Sequence, residues 1–274
     1  MNFITSVYTN QPYSKQIKAL QKSLALFEPF QFSRYSDGEL FMILNKEIRL
    51  TPNGAWIDGT QVNNQKYEDH DCKIFIPSED KPLTRELISG LHNNVPSFIL
   101  GLPLPCCIGE DMFQSLIRET NYKPSNYSTA NLLINNNYPF FVNYVIPILQ
   151  KRRILLVANR RAYSGFFENL AGHIMLGDDA KELIDMYENS IIKALNYNSL
   201  AQQNDIVILF AASYLSNILI NRLSLRYPHV TMIDIGTALH PQLNLGYIRH
   251  YLQLYYSQPH AYSYHECVPN LSCI

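Results

Sequence analysis

The chain's apolar patterning predicts an α/β fold: a Rossmann-like, mostly parallel sheet with helices on both faces. Three observations carry this expectation. Ile154-Leu155-Leu156-Val157-Ala158, Asp205–Phe210 and Val230–Ile233 are short, nearly continuous apolar runs of strand length. The first two lead through small or polar turn residues into stretches read as helices. Strands apolar on both sides, alternating with helices, belong to parallel sheets covered on both faces.

The elements follow in order. Ile17, Leu20, Leu24 and Phe27 recur at helical spacing, so residues 14–27 read as an amphipathic helix. Phe30–Phe32 opens a strand that stops at Arg34, and Leu40–Leu44 starts a second helix. Residues 51–80 read as an irregular insertion, with Pro52-Asn53-Gly54 as a turn and Lys73–Ile76 as a short strand. Pro82 fits the first position of a helix over 82–93, where Leu83, Leu87, Ile88 and Leu91 share a face. Ser97–Gly101 is a strand, and helices are expected over 109–119 and parts of 127–149. After the strand at 154–158 a helix is expected near 165–175. Another follows Ala211-Ala212-Ser213, with Leu215, Ile218, Leu219 and Leu223 on one face. The tail, 247–274, is rich in Tyr and His and shows no periodicity. With no repeat or linker, the reading is one domain over 1–274.

Composition narrows the function. The 274 residues are 47% apolar and 16% charged, a globular balance, and a net charge of −1 gives no global argument for nucleic acid. No run approaches the ~20 apolar residues of a membrane span, and Met1–Gln16 lacks the pattern of a signal peptide. Five cysteines, an odd number without a Cys-x-x-Cys knuckle, fit a reduced, cytoplasmic protein. There is no Gly-x-Gly-x-x-Gly, no Walker loop and no Gly-x-Ser-x-Gly elbow.

The chemistry concentrates at expected strand ends. Asp37 and Glu39 flank Gly38 just past the first strand. An Asp-x-Glu pair is a compact oxygen-ligand set for Mg²⁺ or Mn²⁺, ions that take one or two carboxylates plus a substrate's phosphates. The plainer reading is acids placed to suit a helix N-terminus. Gly38 would allow close approach of a ligand or a positive φ. Arg34 offers a planar fork for phosphate. Ser213 either admits a phosphate to the helix N-terminus or simply caps that helix. Asp234 ends the strand at 230–233, and His240 follows six residues later at the same sheet edge. Asp69-His70-Asp71-Cys72 fits no standard zinc spacing and reads as a solvated loop.

Taken together, these segments resemble the GT-D glycosyltransferases. Arg34-Tyr35-Ser36-Asp37-Gly38-Glu39 is similar to the family's Arg-Phe-Gly-Asp-Gly-Glu motif, and Gly101-Leu102-Pro103 to its Gly-Leu/Ile-Pro segment. Ile206–Phe210 followed by Ala211-Ala212-Ser213-Tyr214-Leu215 resembles its strand, small-residue turn and helix, and Asp234-Ile235-Gly236 its final motif. Ser36 stands where glycine is usual, Ala211-Ala212 replaces Gly-Pro, and Thr237 follows Gly236 where histidine is usual.

The resemblance implies a metal-dependent transfer of a sugar from a nucleoside-diphosphate sugar, a UDP-sugar by expectation, to a hydroxyl of a glycan or glycoprotein. Asp37 and Glu39 would hold Mn²⁺ or Mg²⁺. Arg34, Asn159, Ser213 and Tyr214 would contact the donor, and Asp234 or His240 would orient or deprotonate the acceptor. Two other classes use the same residues: a metal-dependent phosphatase or nucleotidyltransferase, which would hydrolyse or transfer without moving a sugar, and a sugar-nucleotide-binding module without turnover. A homo-oligomer is compatible with all three.

Overall fold

The computed structural model describes residues 13–63, 72–103, 108–120, 127–177, 180–247 and 249–262. Asp69, His70 and Asp71 lie outside them, as do Cys106, Cys107 and residues 263–274.

Seven strands form the main sheet: β1 (Gln31–Arg34), β6 (Phe98–Leu102), β7 (Tyr127–Thr129), β8 (Arg153–Asn159), β9 (Leu170–Leu176), β10 (Ile206–Ala211) and β11 (Thr231–Asp234). Their order is β7-β6-β1-β11-β10-β8-β9, and every neighbouring pair is parallel. The fold is thus the expected Rossmann-like α/β architecture. Side-chain alternation splits the interior into two cores. In β10, Ile206, Ile208 and Phe210 enter one core, while Val207 and Leu209 enter the other. This is why these strands carry no polar alternation.

The first core is covered by α2 (Asp37–Ile43), α3 (Lys81–Leu91), α4 (Glu110–Thr120), α7 (Ile184–Asn196) and α8 (Tyr214–Arg226). The second is covered by α1 (Tyr13–Ala25) and α5 (Tyr138–Phe140), which runs through a π-helical turn (Phe141–Val145) into α6 (Ile146–Lys151), and by α9 (His250–Ser257). The connections β1→β6, β6→β7, β9→β10 and β10→β11 all step one way across the sheet over the first face. The connection β7→β8 steps the other way over the second face. That pairing of direction with face is what a constant crossover handedness requires.

Three expectations are corrected. The stretch read as an irregular insertion holds a four-stranded antiparallel sheet, β4-β3-β2-β5, from β2 (Ile48–Thr51), β3 (Gly54–Ile57), β4 (Thr60–Asn63) and β5 (Lys73–Phe75). Its strands are three or four residues long, too short for a clear period. One turn was nonetheless readable: Asp58-Gly59, with φ of 48° and 76°, is the Asp-Gly pair of a two-residue hairpin whose central residues both need positive φ. The helix expected near 165–175 is instead a single 3₁₀ turn (Ser164–Phe166) and the edge strand β9. An edge strand buries little, and β9 is mostly half-buried, so its pattern is weak. The tail read as aperiodic contains α9, which buries only Tyr251 and Leu252.

Candidate functional site

A cleft of about 1270 Å³ runs along the carboxyl edge of the parallel sheet. Residues at or just beyond the ends of all seven strands line it, from Ala130 and Asn131 after β7 to Gly177 after β9. Open parallel sheets bind ligands at this edge, at the point where neighbouring connections diverge. Here β8 leads outward to β9 while its neighbour β10 leads back to β11, so the divergence falls between Asn159 and Ala211. Every site residue proposed from sequence lines this one cleft: Arg34, Asp37, Glu39, Asn159, Ser213, Tyr214, Asp234 and His240.

The first strand's exit is a capping box. Ser36 is the N-cap of α2, and Glu39, three residues on, accepts hydrogen bonds from the Ser36 N–H at 2.9 Å and its hydroxyl at 2.6 Å. Both bonds end on Oε2. Glu39 is buried and Asp37 exposed, so the pair presents one carboxylate from the floor and one from the rim. The helix-start reading of these acids therefore holds for Glu39, which also lines the cleft and makes neither bond through Oε1. Gly38 has no positive φ, and the space a side chain would fill there is open.

Next to these acids lie buried Asp234 and half-buried Arg34. Asp234 ends β11 and is 4% exposed. It accepts a hydrogen bond from the Gly236 N–H at 3.0 Å and another from the Arg34 backbone. Burial pushes its carboxyl up to about 7; the Arg34 guanidinium and these bonds pull the other way, and Glu39's charge adds to the rise. The guanidinium packs onto Gly236: a Cβ there would sit 1.8 Å from Nη1. Gly236 also has φ +47°. Only glycine meets both demands. Arg34 Nε is buried without a hydrogen-bond partner, so the fork can serve a ligand only through its Nη groups. Asn217 on α8, not singled out from sequence, holds the strand end by donating to the Arg34 carbonyl at 2.6 Å and to Ser33 Oγ at 3.1 Å.

Ser213 joins β10 to α8 with φ 53° and ψ −146°, a region close to glycine-only. Its side chain makes no capping bond, so the simple capping reading is corrected. The strained turn places it on the cleft wall at the diverging strands. Asn159 accepts from the Arg161 N–H at 2.9 Å and shapes the turn after β8.

Sequence reasoning missed the wall contributed by the 245–251 segment. Tyr251 bonds Thr237 through their hydroxyls at 2.9 Å, and burial pushes its phenol up to about 12. Its neighbours Arg249 and His250 line the cleft. The only sequence signal there was tyrosine density.

Among the described residues no three His, Cys, Asp or Glu side chains gather to hold a metal ion by themselves. Asp37 and Glu39 offer carboxylate oxygens from the first turn of one helix, a donor set that fits a hard cation completed by a ligand's phosphates. No protein-family model, curated protein or solved structure matches the chain.

Proposed function

We propose that this chain is a metal-dependent glycosyltransferase of the GT-D type, using a nucleoside-diphosphate sugar, by expectation a UDP-sugar. One observation carries the reading. At a single cleft on the carboxyl edge of a parallel sheet, an Asp-x-Glu pair and an arginine from one strand end face a strained, small-residue turn at the diverging strands.

Each role follows from placement. Asp37 and Glu39 would hold Mn²⁺ or Mg²⁺, which would supply charge neutralisation for a departing diphosphate. Arg34, steadied by Asp234 and the flat surface of Gly236, presents its Nη groups to phosphate. Ser213 and Tyr214, at the positive end of the α8 dipole, suit the anionic end of the donor. Asn159 bounds the nucleotide's side. His240, half-buried in the opposite wall, would take a proton from an acceptor hydroxyl. Asp234 is the second candidate base, and its depth suits a positioning role better. No helix among the described residues is long and apolar enough to cross a membrane. A cytoplasmic enzyme acting on a glycan or glycoprotein fits this reading.

The test is a thermal-shift screen of nucleotide sugars, each with and without Mn²⁺. A ligand that binds only the folded state raises Tm by mass action, by about 2.7 kcal/mol of stability at a hundredfold excess over Kd. The reading expects a shift from at least one nucleotide sugar that vanishes without the metal. Absence of any shift across the common nucleotide sugars would overturn it. Nucleotide hydrolysis with no sugar transfer to any acceptor would instead select the phosphate-handling class.

A further inference from the structure

The cleft exceeds the usual size of a pocket for one small ligand. Single small-molecule pockets run to roughly 300–1,000 Å³, and this one is about 1270 Å³. Its two long walls also differ. The wall over the first core is built from Leu50–Pro52, the 72–79 segment, Lys181 and the start of α8, and it carries Glu79. The wall over the second core comes from residues 130–135, 236–245 and 249–251, and among the described residues that line it there is no carboxylate. Its polar groups are amides, hydroxyls, imidazoles and an arginine, among them Asn131, Asn135, Thr237, His250 and Tyr251.

That second wall runs outward into an aromatic cluster. Tyr138 meets Tyr251, Tyr255 and Tyr256 edge-on, with centroids 5.1, 5.0 and 6.4 Å apart. Tyr247 meets Tyr256 at 5.0 Å. Tyr247 stays 48% exposed and Tyr256 41%, so both residues remain partly open to solvent. Tyr247 sits between Leu245 and Arg249, which both line the cleft.

We propose that this wall, with Tyr247 and Tyr256 outside its mouth, binds the saccharide that accepts the sugar; the inference rests on the transferase reading for the word acceptor. The chemistry selects a saccharide. A pyranose has flat apolar C–H faces and a rim of hydroxyls that both donate and accept. Tyrosine rings supply large, rigid surface at low entropic cost. Asparagine amides offer donors and an acceptor together, which suits hydroxyls and not a purely anionic group. An acceptor lying here would bring a hydroxyl to His240 on the same wall, while the donor occupies the side of Ser213 and Asn159.

An oligosaccharide array, followed by titration of the strongest binder, tests this on the full chain. Tyr247→Ala should weaken saccharide binding about tenfold or more, the loss expected of a contact tyrosine. Tyr247→Phe should retain most of it. Tyr197→Ala should leave it unchanged, since Tyr197 is 72% exposed and does not line the cleft. The affinity for a nucleotide sugar, read by calorimetry, should not move in Tyr247→Ala. The proposal is overturned if Tyr247→Ala binds the saccharide as the wild type does. It is also overturned if the wild type binds no saccharide, whatever it does with nucleotide sugars; if those still bind with Mn²⁺, the transferase reading survives alone. Saccharide binding lost in Tyr247→Ala, with no nucleotide sugar bound, sinks the transferase reading and keeps the saccharide site.

Discussion

Replacing Gly236 with alanine should cost stability twice over, and the two costs can be separated. The first is backbone strain. At φ +47° an L-residue pays about 1–2 kcal/mol for the crowding of its Cβ. The second is collision. The new Cβ would fall 1.8 Å from Arg34 Nη1 and 2.9 Å from Cζ, closer than such atoms approach, so the guanidinium must move off Gly236. Pairs in direct contact typically couple by about 0.5–3 kcal/mol. Gly236→Ala should therefore lose about 1.5–5 kcal/mol in the wild-type background and only about 1–2 in an Arg34→Ala background. Urea denaturation at pH 5 reads both, because there Asp234 keeps its proton and its charge does not enter the comparison. Equal costs in the two backgrounds, within about 0.5 kcal/mol, would mean that the guanidinium does not rest on Gly236 and that the account of the site floor is wrong.

Two other perturbations probe the same floor. Asp234 holds its proton up to about 7 when folded and, at its ordinary 3.8, loses it earlier when unfolded. The folded state thus binds more protons in between, so this group's stabilisation is complete below 3.8 and declines as pH rises through about 7. In chelator-treated buffer, Asp234→Asn should flatten that decline; identical pH–stability curves for variant and wild type would refute the assignment. At Ser213, glycine should relieve the backbone strain and raise stability by about 1 kcal/mol, while Ser213→Ala should not. A glycine variant no more stable than the wild type in a thermal melt would remove the strained turn from the argument.

How much of this was readable from the sequence depended on burial. β8 and β10 were plain because parallel neighbours and helices on both faces leave them no polar positions. β9 was not, since an edge strand carrying Gly172 and His173 lacks that signature and can pass for a helix. The small sheet failed for a similar reason: its strands hold three or four residues, with Arg49 exposed, and only the turn at Pro52-Asn53-Gly54 and the short strand from Lys73 were read. At the site, Arg34, Asp37, Glu39 and Asp234 stood out because charged residues interrupt apolar strand ends. The helix-start reading of the two acids was also in view, and the structure shows that one acid can close a helix and still line a cleft. Three features had no local signal. The positive φ of Ser213 comes from the geometry of the β10–α8 turn. The packing of Arg34 on Gly236 joins residues far apart in the chain. The wall from 245–251 is placed by tertiary contacts of Tyr251 and Leu252 with the second core.

The central claim is a metal-assisted departure of a nucleoside diphosphate, governed by Asp37 and Glu39. The most direct measurement is release of nucleoside diphosphate from a nucleotide sugar with added Mn²⁺, in wild type, Asp37→Asn and Glu39→Gln. Glutamine can still close the capping box through its amide oxygen, so Glu39→Gln should fold as the wild type does. The account predicts metal-dependent release by the wild type and a loss of about 10²-fold or more in each variant. Wild-type rates in both variants, after chelation and return of Mn²⁺, would contradict it.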